Sequence, residues 1–279
     1  MRLRWIVLAG LVTAAVLVTT VVRDRDPVRS EYCVAEVRET RAQVDVEQAR
    51  WTTLMAAISQ RRGLPPRATT IAIATAFQES KIHNIDYGDR DSVGLFQQRP
   101  SQGWGRREQV LDPAYSIGRF YDGLVKIKGY RSMSITEAAQ RVQRSAYPGA
   151  YAQHEDYARA LASALRGYSP AAFSCRVNAA GGGAPRAVAD DVTGAFGDIV
   201  VDVEGRGVRM PLKGRAPDVD ARGWGLAHYA VGNASRLKIA SVAFDGLVWT
   251  AEDSPDGWVV DRRPDQQRAA RDAVVIRVG

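Results

Sequence analysis

Hydrophobic residues form one uninterrupted run near the N-terminus, from Trp5 to Val22. The run of about 18 residues is just long enough to cross a bilayer as a helix, and it stops at the charged segment 23–26. Arginines precede it, which keeps the N-terminus inside and sends the rest of the chain across. We therefore predict a single-pass membrane anchor through residues 5–22, with the bulk of the chain extracytoplasmic. The alternative is a cleaved signal and a secreted protein, although no clear Ala-x-Ala cleavage site precedes the charges.

Apolar positions between the two cysteines follow a helical period. Trp51, Leu54, Met55 and Ile58 recur at the spacing of a helix with one buried face. Gly63 ends that helix, and an apolar run from Ala68 to about Ser80 predicts a second one. Asp112-Pro113 and Ser134-x-x-Glu137 are signals that begin helices. A last helix is predicted from near His154 and ends at Gly167. This pattern predicts an all-α domain over residues 31–177. Residues 83–105 interrupt it with a loop rich in Asp, Gly, Gln and Pro, and such loops are often functional.

The pattern changes after the glycines at 181–183. Residues 178–189 are predicted to form a flexible linker. Beyond them, strands are expected at 198–203, 239–244, 247–249 and 274–278, with a helix over 223–237. We therefore predict a small α+β domain at 190–279. The predicted fold class is α+β multidomain, with the membrane segment within residues 1–30, the all-α domain and this smaller domain.

Composition and charge narrow the choice of partner. With 46% hydrophobic and 25% charged residues, the chain is too apolar to be disordered throughout. The net charge of +7 favours anionic partners such as acidic lipids or wall polymers, although spread charge also serves solubility. No basic block is interleaved with aromatic residues, so nucleic acid is not expected.

The two cysteines are Cys33 and Cys175. An even number of cysteines in an exported chain predicts a disulfide. The bridge would close a loop of roughly 140 residues and stabilise the folded state by several kcal/mol in the chain-entropy model. Two unrelated thiols are the alternative.

Glu79 is the sharpest candidate for chemistry. It ends an apolar helix, in the segment Ala76-Phe77-Gln78-Glu79-Ser80. A carboxyl at such a position loses solvation, which raises its pKa toward the value that a general acid needs. By itself, however, a glutamate at a helix end is more often an exposed surface residue.

A second segment favours a catalytic role for Glu79 over a surface role. It reads Ser92-Val93-Gly94-Leu95-Phe96-Gln97-Gln98. Together with Glu79-Ser80 it resembles the lysozyme-like superfamily of goose-type lysozymes and lytic transglycosylases, in its actinobacterial envelope form. The resemblance covers about residues 33–175 and implies that Glu79 is catalytic and that the Gly-Leu-Phe-Gln loop lines a glycan cleft. A later family motif, Ala-Tyr-Asn-x-Gly, corresponds to Ala146-Tyr147-Pro148-Gly149, which lacks the Asn.

The mechanism depends on whether a second carboxylate assists Glu79. Asp86, Asp89 and Asp91 follow Glu79 in the loop. An inverting hydrolase needs a base roughly 6.5–9.5 Å from the acid, whereas a lytic transglycosylase uses one glutamate as acid and then base. Turn formation alone explains aspartates in a loop, so the sequence favours the transglycosylase.

Substrate contacts are expected from side chains that suit a polysaccharide. Amides bond to hydroxyls, and an aromatic face stacks on a sugar ring. The candidates are Ser92, Gln97, Gln98, Trp104 and Tyr147, with Tyr87 as an addition. Trp104 could equally be a buried loop anchor. His83 and His154 lack metal-ligand spacing, and no metal or cofactor is expected.

The C-terminal domain resembles wall-associated zinc D-Ala-D-Ala peptidases. The similarity rests on the segment 223–234, the pair Val248-Trp249 and a terminal strand that begins at Asp272. The histidines of the family's last strand are absent, and His228 alone cannot hold a catalytic zinc. The resemblance therefore implies a degenerate domain that binds or packs.

These observations predict an envelope enzyme that cleaves peptidoglycan glycan strands as a lytic transglycosylase or muramidase, with Glu79 as general acid/base. The main alternative is a non-catalytic protein that binds peptidoglycan, or acts as a scaffold, and positions other wall enzymes. A third is a structural membrane protein. Partners among the wall-synthesis or division proteins are not identified by the sequence.

Overall fold

The computed structural model describes residues 30–144, 148–178, 181–214, 217–262 and 271–279. Within these ranges the chain forms nine α-helices and two antiparallel sheets. The helices are α1 (Val46–Arg61), α2 (Pro66–Ser80), α3 (Arg107–Val110), α4 (Pro113–Val125), α5 (Ile135–Gln143), α6 (Glu155–Leu165), α7 (Pro185–Phe196), α8 (Asp218–Gly232) and α9 (Ala234–Leu237). Short 3-10 helices cover Pro100–Gln102, Pro148–His154 and Ser254–Asp256.

Local capping explains where several helices begin. The side chain of Asp112 accepts a hydrogen bond from the backbone N–H of Tyr115 at 3.0 Å, and Pro113 occupies the first helical position of α4. Ser134 caps α5 in the same way, through the N–H of Glu137 at 3.1 Å. Both caps satisfy donors that a helix N-terminus leaves unpaired, and both confirm the predicted starts.

A three-stranded sheet corrects the prediction of an all-α domain. The strands are β1 (Tyr32–Val37), β2 (Thr40–Asp45) and β3 (Phe173–Arg176), in the order β2-β1-β3. In β2 the buried Ala42 and Val44 alternate with polar residues, which is the two-residue period of a strand. These strands span six residues at most, too few to stand out beside long helical repeats.

The predicted disulfide is confirmed within this sheet. Cys33 of β1 lies directly opposite Cys175 of β3, and the two sulfurs are bonded. Their separation of 142 residues means that the bridge joins the two ends of the helical region. The bonded cysteines lie in the hydrophobic core.

The second sheet has six strands in the order β4-β5-β9-β6-β7-β8. They are β4 (Asp202–Glu204), β5 (Gly207–Pro211), β6 (Ile239–Phe244), β7 (Leu247–Thr250), β8 (Val259–Val260) and β9 (Ala273–Val278). The predicted strands at 239–244, 247–249 and 274–278 are confirmed. The strand expected at 198–203 is reduced to the short edge strand β4, and α7 begins at Pro185, inside the segment predicted as linker.

Helix α8 joins the two sheets and the helices into one core. Residues 31–279 form a single compact unit. A side chain at Gly232 would clash with the Cγ2 of Thr53 at 2.6 Å, so α8 approaches α1 closely only because this residue has no side chain. The buried His228 of α8 bonds to the backbone oxygen of Ala164 in α6 at 2.7 Å. The segments on either side of the glycines at 181–183 therefore share apolar packing.

The predicted membrane localisation and transmembrane helix are also corrected. No helix in the described ranges is long and apolar enough to cross a membrane. The longest is α1 with 16 residues, whereas a span needs about 20 predominantly apolar residues. The segment predicted as the anchor, residues 5–22, lies outside the described residues.

Candidate functional site

Glu79 lies in the last turn of α2. The helix ends where Lys81 and Ile82 adopt left-handed backbone angles and the N–H of Ile82 returns to the carbonyl of Ala76 at 3.1 Å. This sharp ending directs the chain into the loop that follows. The side chain of Glu79 is half-buried.

Ser80 connects the end of α2 to the loop that contains Gly94, Leu95 and Phe96. Its hydroxyl donates to the carbonyl oxygen of Leu95 at 2.8 Å, and the N–H of Gly94 donates to Ile85 at 2.7 Å. Gly94 has a φ of 78°, and a Cβ there would lie 2.7 Å from the carbonyl oxygen of Val110. Only glycine fits this turn. The Glu-Ser pair and the Gly-Leu-Phe segment are thus hydrogen-bonded neighbours.

Two further side chains hold the carboxylate of Glu79. The hydroxyl of Tyr151 donates to its Oε1 at 2.7 Å, and the amide of Gln143 also bonds to the carboxylate. Burial raises the pKa of Glu79, and the hydrogen bonds from Tyr151 and Gln143 oppose that rise without cancelling it. A carboxyl in this state can carry a proton above its ordinary pKa.

Sequence reasoning missed both Tyr151 and Gln143. Gln143 is the last residue of α5, and its Nε2 donates to the carbonyl oxygen of Phe96 at 2.6 Å, so it also supports the loop. Tyr151 belongs to the 3-10 helix at Pro148–His154 and is buried. No local motif marks either residue, because the fold brings them to Glu79 from more than 60 positions away.

The three candidate aspartates do not resemble a second catalytic carboxylate. Asp91 accepts hydrogen bonds from Arg99 at 2.8 Å and from the N–H of Ser101 at 2.7 Å. These bonds, the one from the Ser101 backbone first, hold the pKa of Asp91 well below its usual range. Asp86 and Asp89 are exposed on the loop. Asp91 therefore orders the loop, and the other two face solvent.

The predicted substrate residues have different positions. Gln97 donates to the carbonyl oxygens of Tyr87 at 3.2 Å and Gly94 at 3.3 Å, so it braces the loop. Ser92 is buried, and Trp104 is half-buried. Tyr87 is exposed. Tyr147 lies outside the described residues.

Gln98 is unusual among these side chains. It is only 2% exposed, and neither amide atom has a hydrogen-bond partner in the described ranges. Its backbone pairs with Val93 in both directions at 3.1 Å, which fixes the loop. A buried amide without partners costs free energy, so a ligand or water that reached it would be stabilised.

The C-terminal half packs against the first sheet through aromatic residues. His228 contacts the rings of Trp224, Trp258 and Phe173. Trp249 donates to the carbonyl oxygen of Cys175 at 3.1 Å, and Trp258 donates to that of Phe173 at 2.8 Å. These contacts join the second sheet to β3. In the part of the chain that the structure describes, no cluster of three His, Cys, Asp or Glu residues is arranged to hold a metal ion.

No protein-family model matches this sequence, and no curated protein matches it significantly.

Proposed function

We propose that this protein cleaves the glycan strands of peptidoglycan as a lytic transglycosylase or muramidase, with Glu79 as general acid and then general base. The observation that carries the proposal is the environment of Glu79. Its carboxyl is desolvated, has a raised pKa, and is held by Tyr151 and Gln143 beside the Gly94–Phe96 turn. A general acid for a glycosidic oxygen needs these properties. The resemblance of this pair of motifs to the lysozyme-like superfamily supplies the substrate class.

The chemistry needs one carboxyl in two roles. Protonated Glu79 gives its proton to the glycosidic oxygen, and the bond between that oxygen and C1 of the sugar breaks. The Glu79 carboxylate then takes the proton from the 6-hydroxyl of the same sugar. The 6-oxygen bonds to C1 and closes a 1,6-anhydro ring, which returns the enzyme to its protonated state. No water is consumed.

Tyr151 and Gln143 suit the second half of this cycle. Both hydrogen bonds favour the ionised carboxylate, while burial favours the neutral acid. The balance keeps the pKa of Glu79 above its ordinary value but still allows the group to lose its proton. Asp91 is engaged with Arg99 and Ser101, so a single-carboxylate transglycosylase is favoured over an inverting hydrolase.

A non-catalytic peptidoglycan-binding protein is the second candidate. The observation that favours it is the sequence Ala146-Tyr147-Pro148-Gly149, where the resemblance implies Asn in place of Pro148. In that case Glu79 would bind the sugar through hydrogen bonds without proton transfer, and the loop would position the strand for another protein.

The test compares residues 30–279 with the same chain carrying Glu79→Gln on purified peptidoglycan. Gln has the size of Glu but cannot donate a proton in this way, so we expect a loss of about 10²- to 10⁴-fold in product release. Mass spectrometry of the released fragments distinguishes 1,6-anhydro ends, made by a transglycosylase, from reducing ends, made by a hydrolase.

Glu137→Gln is the matched control, because Glu137 is an exposed helix residue paired with Arg141. It should release fragments like the wild type. Release by Glu79→Gln at the wild-type rate would refute the role of Glu79. Sedimentation with peptidoglycan, without release by any variant, would favour the binding protein.

A further inference from the structure

A groove opens beside Gln143, one of the two residues that hold Glu79. It has a volume of about 530 Å³ and lies between the loop after Pro100–Gln102, helix α4 and the end of α5. Gln143 belongs to its lining and also bonds to the Glu79 carboxylate. Glu79 does not line the groove, and Gln143 is the side chain that links the two.

The lining of this groove is strongly basic. Among the described residues that line it are four cations, Arg119, Lys126, Arg141 and Arg144, and one carboxylate, that of Asp122. Asp122 is itself ion-paired with Arg62 and lies 3.8 Å from Arg119. Its charge is thus already compensated, and an anion entering the groove would meet a net positive field.

Two of these cations have no ion-pair partner among the described residues. Lys126 and Arg144 are exposed and form no ion pair within the described ranges. By contrast, Arg141 pairs with Glu137 at 2.8 Å. The Nε–H of Arg119 is buried and has no hydrogen-bond partner among the described residues. The groove therefore holds donors that have no partner in the part of the chain that the structure describes.

The groove also carries groups that suit a sugar. Trp104 lies along its wall, with its Cη2 within 3.8 Å of the position that a Cβ of Gly123 would occupy. The Oε1 of Gln143 is buried and lacks a hydrogen-bond donor among the described residues. The indole face of Trp104 can stack on a sugar ring. The amide oxygen of Gln143 can accept a hydrogen bond from the N–H of an acetamido group.

We propose that this groove binds the carboxylate-bearing part of a peptide-substituted glycan strand, so that the protein prefers strands that still carry their stem peptides. The proposal rests on the function proposed above and specifies its substrate. The sugar lies against Trp104 and against Gln143, whose amide bonds to Glu79. The carboxylates of the attached peptide lie among Arg119, Lys126 and Arg144. Guanidinium and ammonium groups are well suited to bind carboxylates.

The experiment measures binding without turnover. In the Glu79→Gln background, isothermal titration calorimetry compares soluble glycan strands with their peptides to the same strands after the peptides have been removed. The charge variant is Lys126→Gln with Arg144→Gln. Its matched control is Lys128→Gln with Arg131→Gln, which removes the same charge from exposed positions outside the groove.

We expect the peptide-bearing strands to bind several-fold more tightly. The charge variant should weaken that binding by about 3- to 10-fold, since each exposed ion pair contributes little, and should leave binding of the bare strands unchanged. The control pair should behave like its parent. Equal binding of the two kinds of strand, or an unaltered affinity in the charge variant, would overturn the proposal. A phosphodiester polymer that competes as well as the peptide-bearing strands would overturn the assignment to carboxylates.

Cleavage assays separate this proposal from the function of Glu79. If wild-type protein cleaves in a Glu79-dependent way but shows no preference for peptide-bearing strands, only the groove assignment fails. If the preference is present but no bond is cleaved, the groove assignment stands and the catalytic proposal fails.

Discussion

The hydroxyl of Tyr151 donates a hydrogen bond of 2.7 Å to the Oε1 of Glu79, although the two residues are 72 positions apart. Tyr151 is almost completely buried in the core, so its ring is held in place. The bond acts against desolvation, which is the largest influence on the pKa of Glu79 and raises it. The protonation of Glu79 thus depends on a residue outside the Glu-Ser motif.

Tyr151→Phe should shift the pH dependence of cleavage. The substitution removes a donor that stabilises the ionised carboxylate, so the pKa of Glu79 rises further above its ordinary value. Because the protonated acid starts the reaction, the alkaline limb of the pH–rate profile should move to higher pH. Tyr157→Phe is the control, since that hydroxyl bonds to the backbone oxygen of Gln43. Coincident profiles for wild type and Tyr151→Phe would contradict the prediction.

Asp86→Asn and Asp89→Asn should cleave at close to the wild-type rate. Both carboxylates are exposed and belong to the loop surface, where substitutions are usually mild. Asp91→Asn should lower activity and melting temperature together, because it weakens the contacts with Arg99 and Ser101 that order the loop. Initial rates and thermal unfolding measure the two effects. A loss of about 10²-fold in either of the first two variants, with unchanged stability, would instead indicate a catalytic base.

Replacing both Cys33 and Cys175 with Ala should lower the free energy of unfolding by about 2–5 kcal/mol. The bridge closes a loop with a sequence separation of 142 residues, so the unfolded chain gains considerable freedom without it. Denaturant unfolding of the double variant measures the loss. Both side chains are buried, so replacing them with Ala also removes packing. A comparison of the double variant with wild type under reducing conditions separates this loss from the loss of the disulfide. Equal stability of oxidised and reduced wild type would contradict the prediction.

The stability of the fold should fall in acid through His228. Burial is the main cause that lowers the pKa of His228 to about 4, from 6.5 when it is exposed. Between these values the unfolded chain binds a proton that the folded chain does not, so stability rises with pH. The full contribution is present above about pH 6.5 and is lost as the pH falls toward 4, a change of about 3 kcal/mol.

Denaturant unfolding at a series of pH values would measure this slope. His228→Leu should remove this part of the pH dependence, even if its overall stability is lower. His83→Gln is the control, because His83 lies at the surface beside Asp45 and Glu47. An unchanged slope in His228→Leu would show that other groups govern the acid sensitivity.

Signals that act within a few residues made much of the helical structure predictable. The caps at Asp112 and Ser134 begin helices as expected, and the apolar run after Ala68 belongs to α2. These two predictions depend on short-range hydrogen bonding and on helical periodicity. The proximity of Glu79 to the Leu95 segment was instead implied by the resemblance to the lysozyme-like superfamily.

Apart from the disulfide between Cys33 and Cys175, contacts between distant segments were not predictable from the sequence. Strands β1 and β3 pair across the helical region, and neither is long enough to identify itself. The partners of Glu79 come from α5 and from the following 3-10 helix, where Gln143 and Tyr151 have no distinguishing neighbours. The sequence therefore singled out Glu79 as a candidate acid but not the side chains that influence its pKa.

Helix α8 has a consequence for how this protein can change over evolutionary time. Its Gly232 lies against Thr53, and its His228 is buried against Ala164, so residues of one half form part of the interior of the other. A gene fusion that exchanged the C-terminal half at the glycines of 181–183 would expose this interior or fill it wrongly. The two halves are therefore expected to be inherited together, and a substitution in either one will be tolerated or rejected according to its partner.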